Sequence, residues 1–311
     1  TYMLIGNFLK NIKKEFQNHR FDGLSFNSAD CKNDYIFFAI KGTKSDGSKF
    51  IDHAIKKGAT IIISEQKFED IKNKVLFLRS KNVRKLLSEL AYKIKKNKPK
   101  NLVAVTGTNG KSSIADFYFQ ILNLNKKKVA SIGTLGVNTI NSKKNISNTT
   151  LDPIKLSSYL KKIKKKKIEN VILEASSHGL KQNRLDGLEF KTAIFTNLSH
   201  DHLDYHKSFE DYLKSNVITD IEIPEYKKIK NIASKKKLNI ETISNYKSSI
   251  HVISHKYLDG NQSIEIRYKN KIYKFQTKLI GNIQIKNILM AMLAAEKSGV
   301  KFKKIVEVIN K

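Results

Sequence analysis

The stretch that decides the fold runs from Leu102 to Leu124, in which Leu102-Val103-Ala104-Val105 precedes the loop Thr106-Gly107-Thr108-Asn109-Gly110-Lys111-Ser112-Ser113. The apolar run predicts a buried strand, and Ser112 to Leu124 predicts the helix after it. Glycines at such a junction let backbone amides close around phosphate, and the helix N-terminus adds positive potential. We therefore predict a phosphate-binding loop, Gly107 to Ser113, in which Lys111 reaches the β- and γ-phosphates and the Ser112 hydroxyl ligates Mg²⁺. The loop departs from the general G-x-x-x-x-G-K-[ST] pattern, because Val105 stands at the first glycine position.

Strands and helices alternate on both sides of this loop, which predicts an α/β protein with two domains. The hydrophobic pattern of residues 1–98 predicts a small N-terminal α/β domain. Its expected strands are Ile36–Ile40, Thr60–Ser64 and Val75–Leu78, and its expected helix is Phe50–Lys57. The charged run Lys93–Lys100, which contains Pro99, marks the boundary. Residues 99–311 predict a central domain with a mostly parallel sheet. Its expected strands are Leu102–Val105, Val129–Ile132, Val171–Glu174 and Ala193–Thr196, and its expected helices are Ser112–Leu124, Ile154–Ile163 and Ile285–Gly299.

The composition excludes several classes of function. The chain of 311 residues has a formal net charge of +31, but only five residues are arginine and the lysines are spread over every segment. Arginine is the usual residue for bidentate contacts with nucleic acid, so we interpret the excess as a compositional bias and predict no nucleic-acid partner. No apolar run is long enough to span a bilayer, so we expect no membrane contact and a cytoplasmic location. We also expect a monomer. The single cysteine, Cys31, excludes an internal disulfide, and no Cys/His cluster has zinc-site spacing.

Three further sites have side chains suited to chemistry. Glu174 ends a buried strand one strand away from the glycine loop, which suits a carboxylate that holds Mg²⁺ directly or through water. His202 lies in a dense cluster with Asp201 and Asp204, which suits a metal ligand or a positioned base. Arg184 follows Gln182 at a spacing suited to a loop that grips a carboxylate or a sugar-phosphate oxygen. We predict Lys111, Glu174 and His202 as the catalytic set and Ser112 and Glu174 as metal ligands, and the residues alone leave His202 as either a metal ligand or a base.

The loop Thr-Gly-Thr-Asn-Gly-Lys-Ser resembles the nucleotide loop of the Mur ligase superfamily, which includes folylpolyglutamate synthase. The MurE type of that family is similar in further blocks, which are Asn148-Thr149-Thr150, Glu174 to Leu180, Gln182-Asn183-Arg184 and Thr196 to His206. The stretch from Phe26 to Gly47 is similar to the UDP-binding domain of that type. The resemblance therefore covers nearly the whole chain.

The resemblance implies an ATP-dependent ligase of peptidoglycan synthesis that forms an amide bond through an acyl phosphate. Its substrates would be UDP-N-acetylmuramoyl-L-alanyl-D-glutamate and an amino acid, with meso-diaminopimelate favoured over L-lysine. It implies two Mg²⁺ ions, one near Ser112 and Glu174 and one near His202. The residues that it assigns to the UDP-muramoyl dipeptide are Ser28, Thr43, Lys44, Ser45, Asn148, Thr149, Thr150, Ser176, Gln182 and Arg184.

The sequence also departs from the family in two places. After Ser215 the family continues with a carbamate-bearing lysine and a helix, whereas Asn216–Thr219 already has the pattern of the next strand. We expect a gap relative to the family between residues 215 and 216, and we expect the family's Rossmann-like C-terminal, amino-acid-binding domain to be absent from residues 1–311. Two alternatives remain open, a folylpolyglutamate synthase-like ligase and a basic nucleic-acid-binding module that hydrolyses ATP.

Overall fold

Residues 2–42, 45–66, 69–95, 98–197, 213–258 and 260–310 are described by a computed structural model of the chain. Contacts between Cα atoms divide the chain into two units that are not continuous in sequence. Unit 1 comprises Thr1–Lys96, Asp152–Ser158 and Gln182–Gly187, and unit 2 comprises Asn97–Leu151, Tyr159–Lys181 and Leu188–Lys311. The segments at 152–158 and 182–187 therefore group with unit 1, although both lie within the predicted central domain. The boundary between residues 98 and 99 stays a prediction.

Unit 1 is built on a five-stranded sheet whose strand order is β3-β4-β5-β7-β6. All neighbours in it are parallel except β6 and β7. Its strands are β3 (Gly23–Ser25), β4 (Tyr35–Phe38), β5 (Ala59–Ser64), β6 (Asp70–Lys72) and β7 (Val75–Arg79), and a separate pair is formed by β1 (Met3–Leu4) and β2 (Arg20–Phe21). Its helices are α1 (Ile51–Lys56), α2 (Val83–Ile94) and the first six residues of α4 (Pro153–Lys165).

The central strands β4 and β5 are buried on both faces, as continuous apolar runs in a parallel sheet predict. One face packs against α2 through a core that includes Ile36, Ile61 and Leu87, all at most 2% exposed. The other face packs against α1 through Phe37, Ile62 and Ala54. The three strands expected in this region are confirmed. Lys93 and Ile94, the first residues of the charged run, belong to α2.

Unit 2 contains a sheet with the strand order β11-β10-β9-β12-β8-β13-β14-β15-β16-β17-β18. The strands from β9 to β16 in this order are parallel, and antiparallel hairpins extend the sheet at both ends. The parallel strands are β8 (Asn101–Thr106), β9 (Val129–Gly133), β12 (Asn170–Glu174), β13 (Phe190–Phe195), β14 (Leu213–Asp220), β15 (Asn239–Ser244) and β16 (Ile250–Leu258). The antiparallel strands are β10 (Gly136–Thr139), β11 (Ser142–Lys144), β17 (Asn261–Tyr268) and β18 (Lys271–Thr277).

The helices of unit 2 are α3 (Lys111–Leu124), the remainder of α4, α5 (Ser177–Lys181), α6 (Tyr226–Lys235), α7 (Asn282–Lys297) and α8 (Phe302–Ile309). Helix α7 is buried along nearly its whole length, because Ile285 and the residues from Asn287 to Ala295 are at most 6% exposed. It packs with α3 and α8 over the sheet in one large apolar core. The prediction of a mostly parallel sheet flanked by helices is confirmed.

The expected strand Asn216–Thr219 is confirmed as part of β14, which passes from Ser215 to Asn216 without a break. Because β8, β9, β12, β13 and β14 are parallel, their carboxyl ends meet at one edge of the sheet. Ligands of such sheets bind at that edge. Within the described ranges, no helix combines the length and the apolar character needed to cross a membrane.

Candidate nucleotide and sugar sites

The glycine loop connects β8 to α3, as the sequence predicts. Gly107 and Gly110 have φ angles of +137° and +85°, which side chains rarely adopt. A Cβ atom on Gly107 would lie 2.0 Å from Oγ1 of Thr196, and one on Gly110 would lie 2.7 Å from Oδ1 of Asn287. Both glycines are therefore required by conformation and by the close approach of a neighbour.

The residues after β13 hold the loop in shape. The Thr108 amide donates to the carbonyl oxygen of Asn197 at 2.8 Å, and the Asn109 amide donates to Oδ1 of Asn197 at 3.0 Å. The Thr196 hydroxyl donates to the carbonyl oxygen of Asn109 at 2.6 Å. These hydrogen bonds join the loop to the residues that follow β13. The sequence shows that Thr196 and Asn197 lie at the end of an apolar strand, and the structure places that strand beside β8.

Lys111 is the first residue of α3, and its side chain folds back over the loop. Its Nζ donates to the carbonyl oxygens of Gly107 at 2.8 Å and of Thr108 at 3.0 Å. Burial lowers the pKa of the Lys111 ammonium below its ordinary value, and the Glu174 carboxylate opposes that shift. The ammonium is therefore held within the loop by carbonyl oxygens, which a phosphate could replace.

Glu174 ends β12 and is only 2% exposed. Its Oε2 accepts hydrogen bonds from the hydroxyls of Ser112 at 2.9 Å and Thr134 at 3.0 Å, and its Oε1 accepts from the Thr134 amide at 2.9 Å. Gly133 makes room for the carboxylate, since a Cβ there would lie 2.1 Å from Oε1. The structure thus brings Ser112 and Glu174 together, as expected for adjacent strand ends. Thr134 was not predicted, because its position depends on the pairing of β9 with β12.

This group of atoms fits Mg²⁺. The donors are a carboxylate and two hydroxyls, which are hard oxygen ligands of the kind that Mg²⁺ prefers. No cluster of three or more His, Cys, Asp or Glu side chains suited to a metal occurs in the part of the chain that the structure describes. Mg²⁺ is commonly held by one or two carboxylates together with water and substrate phosphates. The predicted second site at His202 lies outside the described residues.

Thr149, Thr150 and Ser176 lie beside Glu174 in unit 2. The Thr149 hydroxyl is 3.0 Å from that of Thr134. The Thr150 hydroxyl donates to the backbone oxygen of Glu174 at 2.9 Å and accepts from the Ser176 amide at 2.9 Å. Thr150 is only 3% exposed, whereas Thr149 is half-buried. The contacts made by Thr150 order this edge of the sheet, so Thr149 is the better placed of the two for contact with a ligand.

Three more residues that were predicted as binding residues, Asn148, Ser176 and Ser113, differ in exposure and in hydrogen bonding. Asn148 is exposed, and its amide lies 3.4 Å from the Ser147 hydroxyl. The Ser176 hydroxyl accepts from the Gly179 amide at 3.1 Å, which supports the start of α5. Ser113 lies half-buried in the first turn of α3. The substrate-binding roles of Asn148 and Ser176 stay predictions.

Unit 1 contains a cleft of about 580 Å³ that brings three predicted residues together, namely Ser28, Ser45 and Gln182. Its other lining residues include Phe26 and Phe50, whose side chains are 42% and 43% exposed. The Ser28 hydroxyl is 2.9 Å from Nδ1 of His53, a contact that sequence patterns did not suggest. Thr43 and Lys44, which were predicted for the same site, lie outside the described residues.

Arg184 lines a smaller cavity that shares Phe26, Ile40, Arg84 and Gln182 with the cleft. Its Nε and Nη2 donate to Oε1 of Gln182 at 3.0 and 2.8 Å. Burial lowers the pKa of its guanidinium, and Asp152 opposes that shift. Gln182 and Arg184 thus lie together in unit 1, and their contact with a substrate oxygen stays a prediction.

A buried parallel sheet with a glycine loop between strand and helix, and a carboxylate at the end of the adjacent strand, defines a P-loop type of α/β fold. Comparison with known proteins narrows the class. Residues 105–295 match the family model "Mur ligase middle domain", and residues 20–94 match "Mur ligase family, catalytic domain". The chain belongs to the Mur ligase family.

Individual relatives agree with this assignment. UDP-N-acetylmuramoyl-L-alanyl-D-glutamate--2,6-diaminopimelate ligase of Rickettsia prowazekii is 36% identical over 97% of the chain and 66% of its own length. A solved structure of a ligase with the same name superposes with a TM-score of 0.87 and 22% identity, over 100% of this chain and 66% of that one. An FPGS–AMPPCP complex gives a TM-score of 0.59 and 12% identity, over 73% of this chain and 67% of that one. The chain thus spans slightly less than two thirds of the curated relatives that it matches first.

Proposed function

We propose that this chain carries the nucleotide and UDP-sugar sites of an ATP-dependent ligase that adds meso-diaminopimelate to UDP-N-acetylmuramoyl-L-alanyl-D-glutamate. The observation that carries the proposal is the 2.9 Å contact between the loop residue Ser112 and the buried carboxylate of Glu174. It unites a phosphate-binding loop with the oxygen ligands for a cation. The relative from Rickettsia prowazekii, which is named for this reaction, supports the choice of substrates.

The reaction has two steps. The D-glutamate carboxylate attacks the γ-phosphorus of ATP, and the bond to the bridging oxygen breaks to give an acyl phosphate and ADP. The amine of the amino acid then attacks the acyl carbon, loses a proton and expels inorganic phosphate, which leaves an amide. No covalent bond to the protein is needed, so the protein contributes position and charge.

Lys111 and the helix N-terminus supply the charge for the first step. The first amides of α3 have no acceptor within the helix, so they are suited to bind phosphate oxygens. The Lys111 ammonium would exchange the carbonyl oxygens of Gly107 and Thr108 for phosphate oxygens. In its new position it stabilises the negative charge that moves toward ADP.

The residues that would hold Mg²⁺ are Glu174, Ser112 and Thr134. Such an ion supplies charge neutralisation between the phosphate groups. The Thr134 amide and hydroxyl orient the Glu174 carboxylate toward Ser112 and keep it from rotating. Oriented in this way, the carboxylate places its Oε2 beside Ser112 of the loop.

The cleft in unit 1 supports the assignment of the UDP-sugar. Its volume lies in the range usual for sites of small molecules, and it combines two exposed aromatic rings with the hydroxyls of Ser28 and Ser45. Aromatic faces suit a planar base, and hydroxyls suit its polar edge or the sugar. Arg184 in the adjoining cavity is the cation suited to a carboxylate or phosphate oxygen.

A folylpolyglutamate synthase-like ligase is the main rival, because it shares the loop chemistry. The FPGS complex aligns with a smaller part of the chain and a lower TM-score than the ligase structure does. A thermal shift with UDP-muramoyl dipeptide, compared with dihydrofolate, separates the two. Stabilisation by dihydrofolate alone would favour the rival.

Calorimetry with MgATP and with UDP-muramoyl dipeptide tests the proposal on this chain. Lys111→Ala is expected to weaken MgATP binding at least about tenfold, because a cation that contacts phosphate is lost. Binding of UDP-muramoyl dipeptide should not change. Lys127→Ala is the matched control, since Lys127 is exposed on the segment between α3 and β9. Equal affinity of the Lys111 variant and wild type for MgATP would contradict the loop assignment.

A further inference from the structure

A charged triad involves the second turn of α7. Nζ of Lys286 lies 2.6 Å from Oδ2 of Asp220 and 2.6 Å from Oε2 of Glu222. The Asp220 side chain is 4% exposed, and those of Lys286 and Glu222 are 25% and 27% exposed. The lysine thus joins α7 to the end of β14 through two partly desolvated ion pairs.

The two carboxylates are themselves held in place. Oδ1 of Asp220 accepts from the Glu222 amide at 2.9 Å, and Oε1 of Glu222 accepts from the Ser244 hydroxyl at 2.8 Å. The hydrogen bond from Lys286 is the main cause that lowers the pKa of Glu222 to about 2. Burial lowers the pKa of Lys286, but its bonds to Asp220 and Glu222 outweigh burial and leave that pKa raised. Lys286 and Glu222 therefore both stay ionised near neutral pH.

The same turn of α7 contacts the nucleotide loop. Asn287, the residue after Lys286, is 4% exposed, and its Oδ1 would lie 2.7 Å from a Cβ on Gly110. Gly110 is the N-cap of α3, where the phosphate is expected. Beyond Asn287 the buried side of α7 is apolar, from Ile288 to Ala295. Apolar packing is not directional, so it constrains the position of a helix along its axis less than an ion pair does.

We propose that Lys286 is a positioning residue for the nucleotide site. By binding Asp220 and Glu222, it sets the position of α7 against the carboxyl edge of the sheet and so holds the Asn287 amide against Gly110. The loop then keeps the shape in which its amides and Lys111 converge on phosphate. This role rests on the proposed binding of nucleotide by Gly107 to Ser113.

The test compares two lysines on one helix. Lys297 binds Oε1 of Glu241 at 2.5 Å and joins the other end of α7 to β15, so Lys297→Met also removes an ion pair of this helix. The probes are MgATP and inorganic tripolyphosphate, because an effect on the loop must weaken both. Lys286→Met is expected to raise both dissociation constants about tenfold, as misplaced binding groups do. Lys297→Met should change them less than twofold, and Lys286→Arg should restore most of the affinity.

Several outcomes would overturn the proposal. Unchanged affinities in Lys286→Met would show that the triad does not position the loop. Equal losses in Lys286→Met and Lys297→Met, with equal losses in melting temperature, would show a general effect on α7. If Lys286→Met bound MgATP more weakly but bound tripolyphosphate as wild type does, the effect would lie outside the phosphate loop. If the wild-type chain bound neither MgATP nor tripolyphosphate, the proposed function would be overturned as well.

A milder variant keeps the test usable if Lys286→Met does not fold. Glu222→Gln removes one charge of the triad and leaves the contact between Lys286 and Asp220. We expect it to raise both dissociation constants about threefold, in line with the loss of one of two ion pairs. Dissociation constants equal to those of wild type would reject the positioning role.

Discussion

Replacement of Gly133 by alanine should destabilise unit 2 by displacing the carboxylate of Glu174. The φ angle of Gly133 lies outside the left-handed region, so alanine meets no conformational strain there. The added Cβ, however, would lie 2.1 Å from Oε1 and 2.4 Å from Cδ of Glu174. Since ordinary contacts begin near 3.4 Å, Oε1 must move by about 1.3 Å (3.4 − 2.1).

A displacement of this size breaks the hydrogen bonds of Glu174 with the Thr134 amide, the Thr134 hydroxyl and Ser112. Hydrogen bonds to charged groups contribute about 1.5–3 kcal/mol each, and partial relaxation recovers some of the loss. We therefore expect Gly133→Ala to lower the free energy of unfolding by about 3 kcal/mol. Urea denaturation followed by far-UV circular dichroism measures this value, and hydrogen exchange of the β9 and β12 amides locates the loss.

A double-mutant cycle separates the overlap from other effects. In a Glu174→Ala background the overlapping atoms are absent, so Gly133→Ala should cost at least about 2 kcal/mol less than in wild type. Gly299→Ala is the opposite control, because Gly299 has a φ of +90° and no atom within 4 Å of an added Cβ. It measures strain without overlap. The explanation fails if Gly133→Ala is as stable as wild type, or if its cost persists when Glu174 is alanine.

Two further predictions concern charge. Arg184→Ala should weaken the binding of UDP-muramoyl dipeptide at least about tenfold in calorimetry and leave MgATP binding unchanged, because a bidentate cation is lost from unit 1. Arg267→Ala is the control, because Arg267 is an exposed residue of β17. Equal losses of affinity for both ligands in Arg184→Ala would contradict the assignment. Glu222 has a folded pKa of about 2, below the ordinary 4.5, so its contribution to stability is complete above about pH 4.5 and is lost as the pH falls toward 2. Glu222→Gln should therefore lose less stability between pH 6 and pH 3 than wild type does, as measured by urea midpoints, and an equal loss in both proteins would refute this linkage.

The parts of the fold that could be predicted are those encoded locally. An apolar run, two glycines and a helical pattern sufficed for β8, the loop and α3. The sequence also predicted that Ser112 and Glu174 lie close together, because adjacent parallel strands bring their carboxyl ends together. Residues such as Phe37 and Ile172 stand in continuous apolar runs, which made the buried strands evident.

The remaining contacts depend on strand order and side-chain packing, which local patterns do not encode. Thr134 reaches Glu174 because β9 pairs with β12, and nothing in residues 129–134 indicates that partner. Asn287 lies in a helical pattern typical of a buried helix, and that pattern does not indicate its contact with Gly110. The contact of His53 with Ser28 joins residues on different elements of unit 1 in the same way.

The strand order of unit 2 also has a consequence for synthesis of the protein. The loop contacts join residues 88 apart at Asn109 and Asn197, and 62 apart at Ser112 and Glu174. The helix after the loop bonds to a residue 180 positions later, through Tyr118 and Ser298 at 2.8 Å. Long-range parallel pairing slows folding, since distant segments must meet before their contacts form. A ribosome-bound chain that ends before α7 would lack the amide that packs against Gly110, so the nucleotide loop reaches its final shape only after residues 282–297 have been synthesised.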